Sequence, residues 1–197
     1  MSDFGPFVLA VLALLATPGP TNTLMAASGA QRGVAGSLPL LAGELGGYLI
    51  AITLWIELVG AVAASQPLVP VIAKFIAVGF LVWSAWKLWA NAGRADLAQR
   101  GITLGRVLGT TLVNPKTLAF AFAIFPRVGF VERLPFFGVF AGLVIATAVG
   151  WMALGTAAAR SSAGLLTSSR VERITALALA VFATLLVVQT TQGLLAS

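Results

Sequence analysis

The sequence predicts an all-α membrane protein, with six transmembrane helices arranged as two inverted three-helix repeats and the first and fourth helices broken. Three observations carry this. Apolar residues make up 59% of the 197 positions and charged residues only 9%, whereas soluble domains hold about 45–50% apolar and about 25% charged residues. Apolar blocks long enough for a bilayer, which takes ~20 residues per helix, recur at 4–28, 38–64, 68–90, 107–126, 134–159 and 172–195. The first block of each half also carries its own breaker, TPGPTN at 17–22 and VNPKT at 113–117.

The blocks can be justified in order. The first opens in MSDFGPF, which has no Lys or Arg before the apolar run. A cleaved leader has a basic start, so this block is expected to stay as a span. Short connections follow: GAQRGVAGS, SQPLVP, NAGRADLAQRGITLGR, RVGFVER and RSSAGLLTSSRVER. None reads as a separate soluble domain. One transmembrane domain over 1–197 is expected, with halves about 1–92 and 104–197. Trp83, Trp86, Lys87 and Trp89 close the third block as an interfacial anchor.

Charge sets the orientation. Arg32, Arg94, Arg100, Arg106, Arg160, Arg170 and Arg173 fall in the odd-numbered connections, and Arg127 and Arg133 in the even-numbered ones. Basic residues mark the cytoplasmic side, so both termini are expected outside. The net charge of +6 then reads as topology and contact with anionic lipid, not nucleic acid. The chain has no Cys and no His. Disulfides, Cys/His metal sites and His-based catalysis are thereby excluded, and no cofactor or metal is expected.

The breakers carry the chemistry. Thr17-Pro18 and Asn114-Pro115 each place a capping residue before proline, the pattern of a helix start. The half-helices that follow run to Arg32 and Arg127, roughly 18–21 Å at helical rise, so both breaks fall near mid-bilayer. Two helix N-termini would converge there and favour an anionic group such as a carboxylate. Broken segments at matching positions of two halves also mark transporter sites. The candidate substrate-binding residues are Thr17, Pro18, Gly19, Pro20 and Asn22 at the first break, and Asn114, Pro115 and Lys116 at the second. Lys116 is expected to meet a substrate carboxylate, pair with Glu44, or reach to the interface. Glu57 and Lys74 flank the Pro67 turn at similar depth and are expected to form a structural ion pair. Gly43-x3-Gly47, Gly101-x3-Gly105-x3-Gly109 and Gly138-x3-Gly142 are read as seats for close helix packing. The polar run Gln189-Thr190-Thr191-Gln192 suits interfacial solvation, a homodimer contact or a substrate path.

Pro18-Gly19-Pro20, the glycine-rich GAQRGVAGSLPLLAGE ending at Glu44, Asn114-Pro115-Lys116 and the later Pro126 together resemble the LysE/RhtB family of bacterial amino-acid exporters. The resemblance runs the length of the chain. It departs from the family in Glu44, where Asp is usual, in Pro39, where Gly is common, and in Arg127-Val128, where Gln-Phe is usual. What it implies is export of small amino acids or related zwitterions across the bacterial inner membrane, coupled to proton influx. The implied partners are the substrate and the lipid bilayer. Glu44 would serve the substrate ammonium or the coupled proton and is the candidate proton-coupling residue. The alternative is a metal or other ion transporter of the same superfamily; a membrane enzyme would need a catalytic inventory this chain lacks.

Overall fold

The computed structural model describes residues 4–63, 66, 68–90, 101–160 and 168–195. The connections 91–100 and 161–167, with Arg94 and Arg100, lie outside the described residues, as does Pro67. Among the described residues the chain is helical throughout. The order is α1 (Phe4–Ala16), α2 (Pro20–Ser37), α3 (Leu40–Ala63), α4 (Val69–Ala90), α5 (Leu104–Leu112), α6 (Pro115–Ala119) continued by a π-helical turn (Phe120–Ile124), α7 (Phe130–Arg160) and α8 (Ser168–Leu195).

Among the described residues three helices, α3, α4 and α7, are long and apolar enough to cross a membrane unaided. Two more spans are bent pairs: α1 with α2, bent by 63°, and α5 with the α6–π segment, bent by 47°. The sixth apolar stretch, Ala176–Gln192, lies in α8. The outer surface matches that reading, because Leu9, Leu68, Ile76, Trp86, Val113 and Val131 are all largely exposed. In water such a surface would drive association; in lipid it is the expected exterior.

Packing pairs spans that lie far apart in sequence. The broken first span (α1, α2) packs on the fifth (α7), the broken fourth (α5, α6) on the second (α3), and the third on the sixth (α4 on α8). Exchanging the halves maps this set of pairs onto itself.

The bounds differ from the sequence reading at three places. The stretch 29–37, read as a connection, is mostly helix, interrupted at Gly33 (φ 72, ψ 174). A left-handed φ is open to glycine without a Cβ clash, so the chain turns there while the helix continues past it. The fifth span begins at Phe130, earlier than 134, and carries Pro135 inside it; at the sixth residue it lies past the four N–H groups that lack helical partners, so it removes one donor from the helix. The π-helical turn at 120–124 was not anticipated. Its cause is Pro126: the residue before a proline is pushed out of the α region, and Phe125 is extended (φ −67, ψ 138) while its N–H closes on the Phe120 carbonyl at 2.8 Å.

Glycine sets how closely the spans approach. A Cβ on Gly29 would fall on the Met152 carbonyl, and one on Gly155 on the Ala26 carbonyl. Backbone thus meets backbone between α2 and α7, and Thr156 Oγ1 donates across the joint to Gly29 O at 2.8 Å. Gly43 and Gly47 do the same for α3, against Leu104 and Thr111 of α5. The other anticipated seats are not used: a Cβ at Gly101, Gly105, Gly109, Gly138 or Gly142 would meet nothing within 4 Å. At the opposite end, around the start of α1 and α7, aromatic rings fill the core, with Phe7 edge-on to Phe125 and Phe136.

This contrast sets a test. Gly155→Ala must push two backbones apart and is expected to cost about 1–3 kcal/mol, the usual range for overpacking. Gly142→Ala points into open space and is expected to be neutral. Thermal unfolding of both purified proteins in detergent checks it; equal melting temperatures would show that the α2–α7 crossing is looser than described.

Candidate functional site

A helix broken inside a bilayer exposes backbone groups that lipid cannot satisfy. The residues around the first break do that work. Thr17 Oγ1 donates back to Leu14 O at 2.6 Å. Asn22 Nδ2 donates to Leu15 O at 2.7 Å and Thr17 O at 2.8 Å. Lys116, from the other half of the chain, donates Nζ to the same Thr17 O at 2.5 Å. The carbonyl end of α1 carries the negative end of its dipole, so an ammonium suits that place.

Gly19 makes the approach feasible. A Cβ there would stand 3.1 Å from Lys116 Cε and Nζ, tighter than ordinary van der Waals contact. The helix start itself lies two residues beyond the sequence reading: Gly19 is the N-cap of α2 and Pro20 its first residue, with no side chain capping the first turn. Thr17 turns back to α1 instead of forward, because its hydroxyl has a free carbonyl within reach there. The positive N-terminal end of α2 is therefore left without a side-chain acceptor.

The second break follows the sequence reading. Asn114 is the N-cap of α6, accepting from Lys116 N–H at 3.0 Å through Oδ1, with Pro115 next. Its other side-chain end reaches across the halves: Asn114 Nδ2 donates to Thr21 Oγ1 at 3.1 Å. Thr21 Oγ1 lies 3.2 Å from Thr111 Oγ1, which bonds Val107 O at 2.8 Å. All of these side chains are buried. The two breaks therefore meet at one point, joined by a chain of polar side chains.

Glu44 belongs to this place. It is 1% exposed, on the inner face of α3, and does not reach to the interface. Its charge is within electrostatic reach of Lys116, yet no ion pair forms between them. Glu44 Oε2 has no hydrogen-bond partner, and neither does the hydroxyl of Tyr48, one turn further along the same face. Tyr48 is fully buried and held edge-on between Phe120 and Phe140. Orphaned buried polar atoms are uncommon, and here two stand together: the Tyr48 side chain lies within electrostatic reach of Glu44, and Glu44 of the lysine that plugs the first break. Sequence reasoning missed Tyr48 and Thr111, and noticed Thr21 as a hydrogen-bonding side chain beside the first break without placing it in the site. Tyr48 could have been found as the chain's single tyrosine, four residues after Glu44; Thr111 has no sequence signal beyond being polar in an apolar block.

One expected contact is replaced. Glu57 pairs with Arg133, whose NH1 lies 2.5 Å from Glu57 Oε1, and no pair with Lys74 forms among the described residues. Lys74 lies instead within electrostatic reach of Arg127. The reason is the early start of α7, which brings Arg133 into the bundle, 5% exposed, where α3 supplies the nearest carboxylate. The polar run in α8 is absorbed locally: Thr190 bonds Leu186 O at 2.6 Å, while Gln189 and Gln192 are exposed.

A family model described as "LysE type translocator" matches residues 12–190 of the chain. Curated relatives include the cysteine/O-acetylserine efflux proteins of Escherichia coli strain K12 and Shigella sonnei strain Ss046, each 28% identical over 105 residues, or 53% of this chain and 54% of the relative. The chain thus spans about half the length of the curated relatives it matches. No solved structure matches.

The replaced ion pair gives a double-mutant test. Glu57→Gln leaves a buried guanidinium short of its acceptor, and Arg133→Met removes both the charge and the need for it. Coupling of about 1 kcal/mol is expected between Glu57 and Arg133, held down by the exposure of Glu57, and none between Glu57 and Lys74. Thermal stability of the single and double variants in detergent measures both cycles; additivity in the first with coupling in the second would restore the Lys74 pairing.

Proposed function

Because the chain belongs to the LysE type translocator family, we propose that it is a secondary exporter of small amino acids or related zwitterions, coupled to proton influx. The chain would sit in the bacterial inner membrane as one transmembrane domain of two inverted halves, with both termini outside the cytoplasm. The relatives named for cysteine and O-acetylserine efflux favour a small, neutral amino acid as cargo.

One observation carries the reading: the buried Glu44, with an unpartnered oxygen, faces Lys116 across the point where the two breaks meet. The uncapped start of α2, formed by Gly19, Pro20 and the following residues, offers N–H groups and a positive dipole end to a substrate carboxylate. Thr17, Pro18, Asn22, Asn114 and Pro115 hold that start in place. Lys116, now tied to the Thr17 carbonyl, supplies a second positive group once a carboxylate draws it away. Glu44 and the Tyr48 hydroxyl lie on the other side, where an ammonium would be received.

Coupling follows from the same arrangement. A carboxyl that carries a proton presents no charge to Lys116; one that has lost it attracts both Lys116 and a substrate ammonium. Proton and substrate therefore compete for Glu44, which is the requirement for exchanging one against the other. One proton crossing ~150 mV supplies about 3.5 kcal/mol, enough for an outward gradient of a few hundred-fold for a neutral zwitterion.

Glu44→Gln holds the uncharged form permanently. In proteoliposomes with an imposed pH step it is expected to abolish gradient-driven accumulation of labelled neutral amino acids and to weaken, without abolishing, exchange of amino acid for amino acid, because the start of α2 and Lys116 still receive the carboxylate. Wild-type accumulation in the variant would remove Glu44 from coupling. Loss of both modes would make it an ammonium ligand alone.

A further inference from the structure

We infer that the chain carries a second amino-acid site, a mouth subsite built from Arg127, Arg133 and Glu57 at the end of the bundle where α1 starts, α3 ends and α7 starts. These three side chains line one cavity of about 240 Å³, whose walls are otherwise apolar and include Ile56 and Phe122. That volume lies just under the range of drug-sized pockets, a fit for a ligand of few atoms.

The charges are not balanced among themselves. Arg133 is buried and gives NH1 to Glu57 Oε1 and NH2 to Val128 O, each at 2.5 Å. Its third donor, the Nε–H, is buried with no partner. Leaving a guanidinium donor unpaired costs more than leaving a neutral one, since charged groups carry the larger desolvation penalty. Arg127 is exposed and has no hydrogen-bond partner among the described residues. Lys74 lies within its electrostatic reach. The cavity wall therefore holds two guanidinium groups against one carboxylate, with Glu132 engaged at Gly129 N–H beside it, and the partner it lacks is an anion.

The geometry selects the anion's chemistry. Guanidinium groups present N–H donors in a plane that matches a carboxylate. The half-exposed Glu57, bound through one oxygen only, leaves the other for an ammonium. A group that offers a carboxylate to Arg127 and the Arg133 guanidinium, and an ammonium to Glu57, is an α-amino acid. The site resting on Glu44 and Lys116 is a different one: it lies at the meeting of the breaks and shares none of these residues. On the exporter reading, on which this inference rests, the mouth subsite receives substrate on its way out and holds it weakly.

Saturation binding of a ¹⁴C-labelled pool of neutral L-amino acids to the full chain in lipid nanodiscs tests this. Two sites per chain are expected. Arg127→Gln, at an exposed residue that the fold does not use, should weaken one of them about tenfold, the usual effect of losing one charge-assisted bond. Arg133→Lys, which keeps the charge and loses the Nε–H, should weaken the same site. Glu44→Gln should alter the other site and leave the mouth intact. A single site, altered by Glu44→Gln and unchanged in both arginine variants, overturns the subsite while the exporter reading stands. Amino-acid binding absent from every variant and from the parent overturns both. Binding of glycerol 3-phosphate at Arg127 with no labelled amino acid there assigns the mouth to a lipid headgroup and overturns the inference.

Discussion

The constraint on which the rest depends is that a helix broken inside a membrane must find partners for the backbone it frees. Each unmet carbonyl or N–H in hydrocarbon costs several kcal/mol, and two spans here are broken. Asn22 and Thr17 close the first break from within. Lys116 closes it from the second half of the chain, and Asn114 ties the second break to Thr21 of the first. Each break thus takes at least one hydrogen bond from the other half. The two halves are thereby locked in register, and the polar residues needed for that lock are also the ones available to a ligand.

Around this point the molecule is built differently toward its two ends. At one, glycines bring α2 against α7 and α3 against α5 until backbones touch, and Arg32 bonds Ser28 and the Ile102 carbonyl at 2.8 Å, sewing the end of α2 to the start of the second half. At the other, large rings pack edge to face, and the cavity lined by Arg127, Arg133 and Glu57 opens beside them. Ring contacts can slide and re-form with little loss, whereas backbone contacts over glycine admit almost no change of spacing.

Much of this was legible in the sequence, for identifiable reasons. Prolines act on the backbone locally, so P-G-P and N-P-K announced both breaks without any knowledge of neighbours. Asn114 as a cap was equally local. The first cap was misjudged by two residues, because Thr17 has a choice between a carbonyl behind it and an N–H ahead, and only the folded α1 decides. Glu57 was assigned to Lys74 by equal depth on adjacent spans. Depth along the membrane follows from counting residues; the azimuth that aims a side chain at one neighbour and not another does not. The same blindness hid Tyr48, and it credited Gly138 and Gly142 with packing done by Gly29 and Gly155. The π-turn needed Pro126 to be read together with the helix that ends on it.

The central claim is that the two breaks touch, and the chain's lack of cysteine permits a direct measurement. Thr21→Cys and Asn114→Cys can be introduced together, with a protease site in the segment 91–100 that joins the halves. A short bifunctional thiol reagent added to native membranes, followed by cleavage, reports whether the halves remain covalently joined. The account predicts efficient joining for this pair and none when Thr21→Cys is combined with a cysteine at the lipid-facing Val113. Separate fragments from a well-expressed Thr21/Asn114 pair would contradict it, since the polar chain that holds the breaks together would then not exist.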